Sequence, residues 1–136
     1  MRAVRSRLLA SLSDDRGSSP VEFVLVGTML TLLTLGVLQL GLSIYVRNVV
    51  HDAAVEGAFH AALADTSLQD GARRTSEIIS RTVGAEYAAA IDVRERQTGG
   101  HVTVEVTVQA TLPLVGLLGA PGSMEVTAHA PDESFD

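Results

Sequence analysis

Cysteine is absent from the 136 residues, which excludes disulfides, a thiolate nucleophile and any cysteine-bound metal. Lysine is absent as well: the ten basic residues are all Arg, against 16 Asp and Glu, for a formal net charge of −6. The portion after residue 47 is acidic on balance and lacks the basic face that phosphate binding requires, so nucleic acid is excluded as a partner. There is no Gly-x-Ser-x-Gly elbow and no glycine loop to cradle a phosphate. His51, His60, His101 and His129 are scattered, and no catalytic constellation, and no cofactor, is implied. His51, Asp52, Glu56 and His60 invite a metal assignment. His51 and His60 are two and a half helical turns apart, however, whereas ligands from one helix usually sit three or four residues apart. A solvated polar face is the expectation, with no metal and no enzyme.

Charge is missing altogether from Phe23 to Val46, a run of 24 residues. At about 1.5 Å per residue a helix over this run reaches roughly 36 Å, more than the roughly 30 Å of bilayer hydrocarbon. A single spanning helix, 18–47, with membrane lipid around it, is therefore expected. Arg2, Arg5, Arg7 and Arg16 precede it against Asp14 and Asp15, which orients the N-terminus to the cytoplasm and the rest outside the cell membrane. The apolar stretch is too long for the roughly 7–15 residues of a cleaved signal sequence, and Tyr45-Val46-Arg47-Asn48 offers no small-residue cleavage site.

Beyond the span, 48–131 reads as an extracytoplasmic α+β domain and 132–136 as a flexible acidic tail. Val49, Ala53, Gly57 and Ala61 recur every four residues. Such a row lets another helix approach closely, although alanine-rich helix propensity explains it equally. No Pro interrupts Phe23 to Ala64, while Gly36 and Gly41 have two readings, loosening the helix or admitting a neighbour. Thr66 or Ser67 is placed to cap a second helix over Leu68–Ala90, with Ala72, Thr75, Ile79, Val83, Tyr87 and Ala90 along its inner face. Arg73–Glu77 and Glu77–Arg81 are i,i+4 ion pairs on its outer face.

Val102, Val104, Val106, Val108, Ala110 and Leu112 alternate strictly with Thr103, Glu105, Thr107, Gln109 and Thr111, the period of a half-buried strand. Gly99-Gly100 suits a tight hairpin pairing that strand with Ile91–Gln97. Met124, Val126, Ala128 and Ala130 alternate with Glu125, Thr127 and His129 in a third strand. The expected fold is thus α+β: a long N-terminal transmembrane helix, helical segments, then a small three-stranded antiparallel sheet covered by the Ile79/Val83 face. The apolar connection 113–122 has three readings: core closure, membrane contact, or contact with a partner subunit.

A carboxylate at the mouth of an apolar span needs a reason, and Glu22 has two. Ser19-Pro20-Val21-Glu22 spells a capping box, with Ser19 at the N-cap and Pro20 at the first helical position. The other reason comes from a resemblance. Arg16-Gly17-Ser18-Ser19-Pro20-Val21-Glu22-Phe23 resembles the opening of type IV prepilins, and most closely that of the TadE-like pseudopilins of tight-adherence (Flp-type) pilus systems. Tyr45-Val46-Arg47, Asp52-Ala53-Ala54-Val55-Glu56-Gly57-Ala58 and the Val-rich strand ending at Leu112-Pro113 resemble the family too. Pro20 stands where a small residue is commoner.

The resemblance implies a pilin-like architecture and a 1–17 leader cut between Gly17 and Ser18 by a prepilin peptidase. It makes Glu22 the fifth mature residue, one turn from the new amine of Ser18, so that an amine–carboxylate pair sets the register of packed anchors. Phe23, Val49, Ala53, Gly57 and Ala61 are then the helix-packing positions. The implied protein is a minor subunit of a pilus or secretion assembly, with homo- or hetero-oligomeric partners among the other pilin-like subunits and membrane components of that machinery. The alternative is an unprocessed signal-anchored envelope protein whose exported domain binds a cell-surface partner.

Overall fold

The computed structural model describes residues 18–111 and 124–132. The connection 113–122 and the end of the tail lie outside the described residues. Helix α1 runs Ser18–Ala62, 45 residues, and passes through Arg47-Asn48 without a break. Ser19, expected as the N-cap, lies within the helix, and Pro20 stands in its first turn, where Pro is tolerated because first-turn amides have no intrahelical acceptor. The chain divides into two compact units between Leu38 and Gln39.

In the first unit the apolar side chains from Val21 to Leu38 are exposed on every side of the helix, as suits an element surrounded by lipid. The hydroxyls of Thr28, Thr31 and Thr34 each donate to the carbonyl four residues earlier, at 2.8 Å. These three donors are thus satisfied within the helix, as crossing a bilayer requires. Gly36, and Gly41 in the second unit, have open space where a side chain would stand.

In the second unit α1 ends at Ala62, where Thr66 folds back. Its amide and its hydroxyl both reach the Leu63 carbonyl, at 3.2 and 3.0 Å, and the hydroxyl also reaches the His60 carbonyl. Ser67 then caps α2, Leu68–Thr82, through a full capping box: Ser67 Oγ accepts from the Asp70 amide and the Asp70 carboxylate accepts from the Ser67 amide. The Ser67 hydroxyl also donates to that carboxylate, at 2.7 Å, and with the bonds from Arg73 and the Ser67 amide it holds the Asp70 carboxyl down at about pKa 2. The outer-face pairing differs in part from expectation. Glu77–Arg81 forms at 2.7 Å, but Arg73 turns to Asp70 at 2.8 Å instead of to Glu77, because the capping box has already fixed that carboxylate one turn back.

The second helix is also shorter than its apolar periodicity suggests. It stops at Thr82 because Gly84, at φ 126°, leaves the helical region. The Val83 and Gly84 amides both close on the Ile79 carbonyl, and a 3₁₀ turn, Ala85–Ala88, follows. Strand β1, Ala90–Thr98, then pairs antiparallel with β2, His101–Ala110, which pairs antiparallel with β3, Met124–Pro131. The β1–β2 loop is Gly99-Gly100, with φ 62° and 87°, the positive values a two-residue hairpin loop demands. Val104, Val106, Val108 and Ala110 of β2, with Met124, Val126, Ala128 and Ala130 of β3, make the buried face. Ile79 of α2 and Val46, Val50, Ala53, Ala54, Ala58, Ala61 and Ala62 of α1 complete the core.

Candidate functional site

Gly17 lies outside the described residues, and Ser18 opens α1. Glu22 is exposed in the second turn of the helix and is not without a partner. Phe23 beside it is a large apolar group left 80% exposed. This end of the first unit is a bare apolar helix carrying one acidic residue.

In the second unit the row of small residues has an occupant. Val49 is half-buried and Ala53, Gly57 and Ala61 are buried, and the helix that crosses them is the chain's own α2. A Cβ on Gly57 would overlap Thr75 Oγ1 and come within 2.9 Å of the Gly71 carbonyl; a Cβ on Gly71 would lie 2.7 Å from the Gly57 carbonyl. Two glycines thus let two helix backbones meet. Thr75, buried at this crossing, spends its hydroxyl on the Gly71 carbonyl at 3.0 Å. His51, Asp52 and Glu56 of α1 are exposed, and Glu56, at the margin of the crossing, accepts from Arg74 of α2 at 3.2 Å. Among the described residues no group of three or more His, Asp or Glu side chains is placed to hold a metal ion.

The sheet holds an arrangement that the alternation of β2 did not reveal. Glu105 belongs to the polar face, yet it is only 3% exposed. Register explains it: Glu105 stands opposite Arg94 of β1 and His129 of β3. Arg94 donates to Glu105 Oε1 from Nε at 2.8 Å and from Nη2 at 2.6 Å. Arg96, one diagonal away, reaches Oε2 from Nε at 3.0 Å, and His129 Nδ1 lies 3.6 Å from the same oxygen. The arginine stems lie over the carboxylate and exclude water from it. Around this cluster runs an open groove that also includes Asp92, Thr107, Gln109, Glu125 and Thr127. The signal was present in the sequence, since a two-residue loop at Gly99-Gly100 sets Arg94 against Glu105.

Hydrogen bonds from Arg94, and the charges of Arg96, Arg94 and His129, hold the Glu105 carboxyl below its ordinary 4.5 despite its burial. Bonding to the same carboxylate pushes the Arg94 guanidinium still further up, keeping it charged. A depressed folded-state pKa means that ionised Glu105 favours the fold above about pH 4.5, and that this support is lost as pH falls through the folded value. Glu105→Gln is expected to lower the melting temperature at pH 7 and to flatten its decline between about pH 5 and pH 3. Thermal unfolding followed across that range checks this; parallel curves for the two proteins would refute it. Asp70 weakens both proteins alike toward pH 2.

An apolar helix long enough to cross a membrane, the one such helix among the described residues, joined to a helix-covered antiparallel sheet, defines an α+β protein with a membrane-anchor candidate. Residues 17–58, less than half of the chain, match the family model described as TadE-like protein. The match takes in the Gly17–Phe23 opening and the helix up to Ala58, and ends before α2 and the sheet. Neither the curated proteins nor the solved structures contain a match.

Proposed function

We propose that the chain is a minor pilin-like subunit of a tight-adherence pilus or secretion assembly, acting in its initiation or assembly through helix packing. What carries this reading is the family match over residues 17–58, with Gly17-Ser18 at its start and Glu22 in the fifth place after Gly17. The apolar part of α1 anchors in the cell membrane with the N-terminus cytoplasmic and the α+β domain outside. A prepilin peptidase cuts after Gly17, and the Ser18 amine, one turn from Glu22, pairs with that carboxylate within a subunit or between neighbours. Gly57 and Ala61 are covered by α2, so contacts with other pilin-like subunits fall to Phe23 and the exposed apolar face that follows it. No catalytic role is assigned.

The test is the N-terminus itself. When the full chain is expressed with a prepilin peptidase and extracted from membranes, intact-mass spectrometry is expected to find Ser18 first, and Gly17→Ala is expected to leave the precursor uncut. An uncut wild-type chain under those conditions removes the processed-subunit reading. It leaves a signal-anchored envelope protein, for which Glu22→Ala would change neither insertion nor partner binding.

A further inference from the structure

We propose that the outer edge of β1 is an interface with a second copy of this chain, in which two β1 strands pair antiparallel about a two-fold axis at Val93. Strands β1 and β3 are the edges of the sheet. The Asp132 amide bonds the Val102 carbonyl at 3.1 Å, so the even-numbered residues of β2 direct their main chain toward β3 and the odd-numbered ones toward β1. The Thr103 hydroxyl on the Arg96 carbonyl, at 2.9 Å, agrees. Through the Arg94–Glu105 register, Ile91, Val93, Glu95 and Gln97 therefore turn their N–H and C=O groups outward. Among the described residues these groups receive no backbone hydrogen bond from outside the sheet.

The two edges are not equivalent. On β3 the outward set is Glu125, Thr127, His129 and Pro131; Pro131 has no N–H to give, and Arg47, Asn48 and His51 of α1 flank Glu125 and Thr127. Among the described residues, the outward set of β1 includes no proline, and no α1 side chain shares a pocket with it.

Charge selects the occupant and the register. Asp92 and Arg94 lie on one face of β1, on either side of Val93. With the two-fold at Val93, each Asp92 stands across from Arg94 of the other copy, twice over. Moving the two-fold to Asp92, Arg94 or Glu95 sets that residue against its own copy, and like charges directly opposite one another are destabilising. Arg94 has capacity for the contact. Its Nε and Nη2 are committed to Glu105, its own Asp92 is 3.8 Å from Nε, and Nη1 has no acceptor among the described residues. Mixed charge along an edge discourages indiscriminate strand addition; this arrangement leaves one complementary partner, the same strand reversed. The inference does not depend on processing at Gly17 or on any pilus.

The cysteine-free chain allows a direct test. In an antiparallel pair, residues exchanging hydrogen bonds have Cα atoms about 5.5 Å apart, within the roughly 4.4–6.8 Å a disulfide spans. Full-length Val93→Cys, expressed alone in membranes and mildly oxidised, is expected to run as a covalent homodimer. Glu95→Cys and the β3 control Thr127→Cys are expected to remain monomeric. In the Val93→Cys background, Asp92→Arg is expected to reduce the cross-linked fraction about tenfold, and Asp92→Glu to preserve it. Cross-linking through residue 95 as strong as through 93, insensitivity to Asp92→Arg, or a covalent adduct with a different protein in place of the homodimer would each overturn the proposal.

Discussion

Ile79→Ala is expected to lower the stability of the folded domain by about 2–5 kcal/mol, the usual range for emptying a large buried aliphatic site. Ile79 is wholly buried, and it shares one cluster with Val50 of α1 and Val104, Val106 and Val108 of β2. It is the one residue of α2 with a large aliphatic side chain in that cluster's fully buried set, so its loss leaves a cavity where helix and sheet meet. The surrounding alanines of α1 have no spare length with which to fill it. Urea unfolding of the full chain in detergent, followed by the sheet signal, measures the loss. Val102→Ala is the internal comparison: Val102 is also a valine of β2, but it is 37% exposed, and its truncation is expected to cost within about 0.5 kcal/mol. Equal losses at the two sites would refute the placement of the core.

That core was legible from the sequence because strand periodicity is strong. The alternation from Val104 to Ala110 and from Met124 to Ala130 named the buried face of both strands, although Val102, placed on the same face, is exposed at the strand's end, and Gly99-Gly100 named the loop between the first two. Whether α1 runs on or bends at Arg47-Asn48 is open in the sequence, where the absence of Pro permits both; the helix runs through without a break. Helix ends were harder to read. The apolar spacing of Val83, Tyr87 and Ala90 continues past the true end of α2, since periodicity carries no information about a glycine that takes φ 126°. The capping box at Ser67 was half visible, through the serine and not through Asp70, and the Arg73–Asp70 pair follows from it.

Alternation misled at one residue for a physical reason. It assigns Glu105 to the face opposite the core, which is correct, and equates that face with solvent, which is not. Burial there comes from Arg94 and Arg96 lying across the strand, a tertiary effect that becomes readable only once the hairpin register is fixed. The roles proposed for Gly17, Ser18 and Glu22 rest on different ground, namely the spacing of the motif and the family match that begins at residue 17. A helix pattern alone carries neither a cleavage point nor an amine partner.

Gly57→Leu is expected to be as damaging as any core truncation, and for the opposite reason. At the α1–α2 crossing there is no room for even one carbon on Gly57: it would overlap Thr75 Oγ1 and approach the Gly71 carbonyl to 2.9 Å. A flexible side chain can yield, but a backbone carbonyl held in α2 cannot, so the helices must separate. Overpacking of this kind costs about 1–3 kcal/mol and sometimes more, and here it also opens the adjoining Ala61–Gly71 contact. The effect can be assigned by a double-mutant cycle. Thr75→Ala removes the hydroxyl that meets the new carbon and leaves Gly71 in place, so Gly57→Ala is expected to destabilise less in the Thr75→Ala background than in the wild type, without becoming neutral. Strict additivity in the unfolding free energies would mean that α2 does not cross α1 at Gly57. The row of small residues would then be open, after all, to a helix from another subunit.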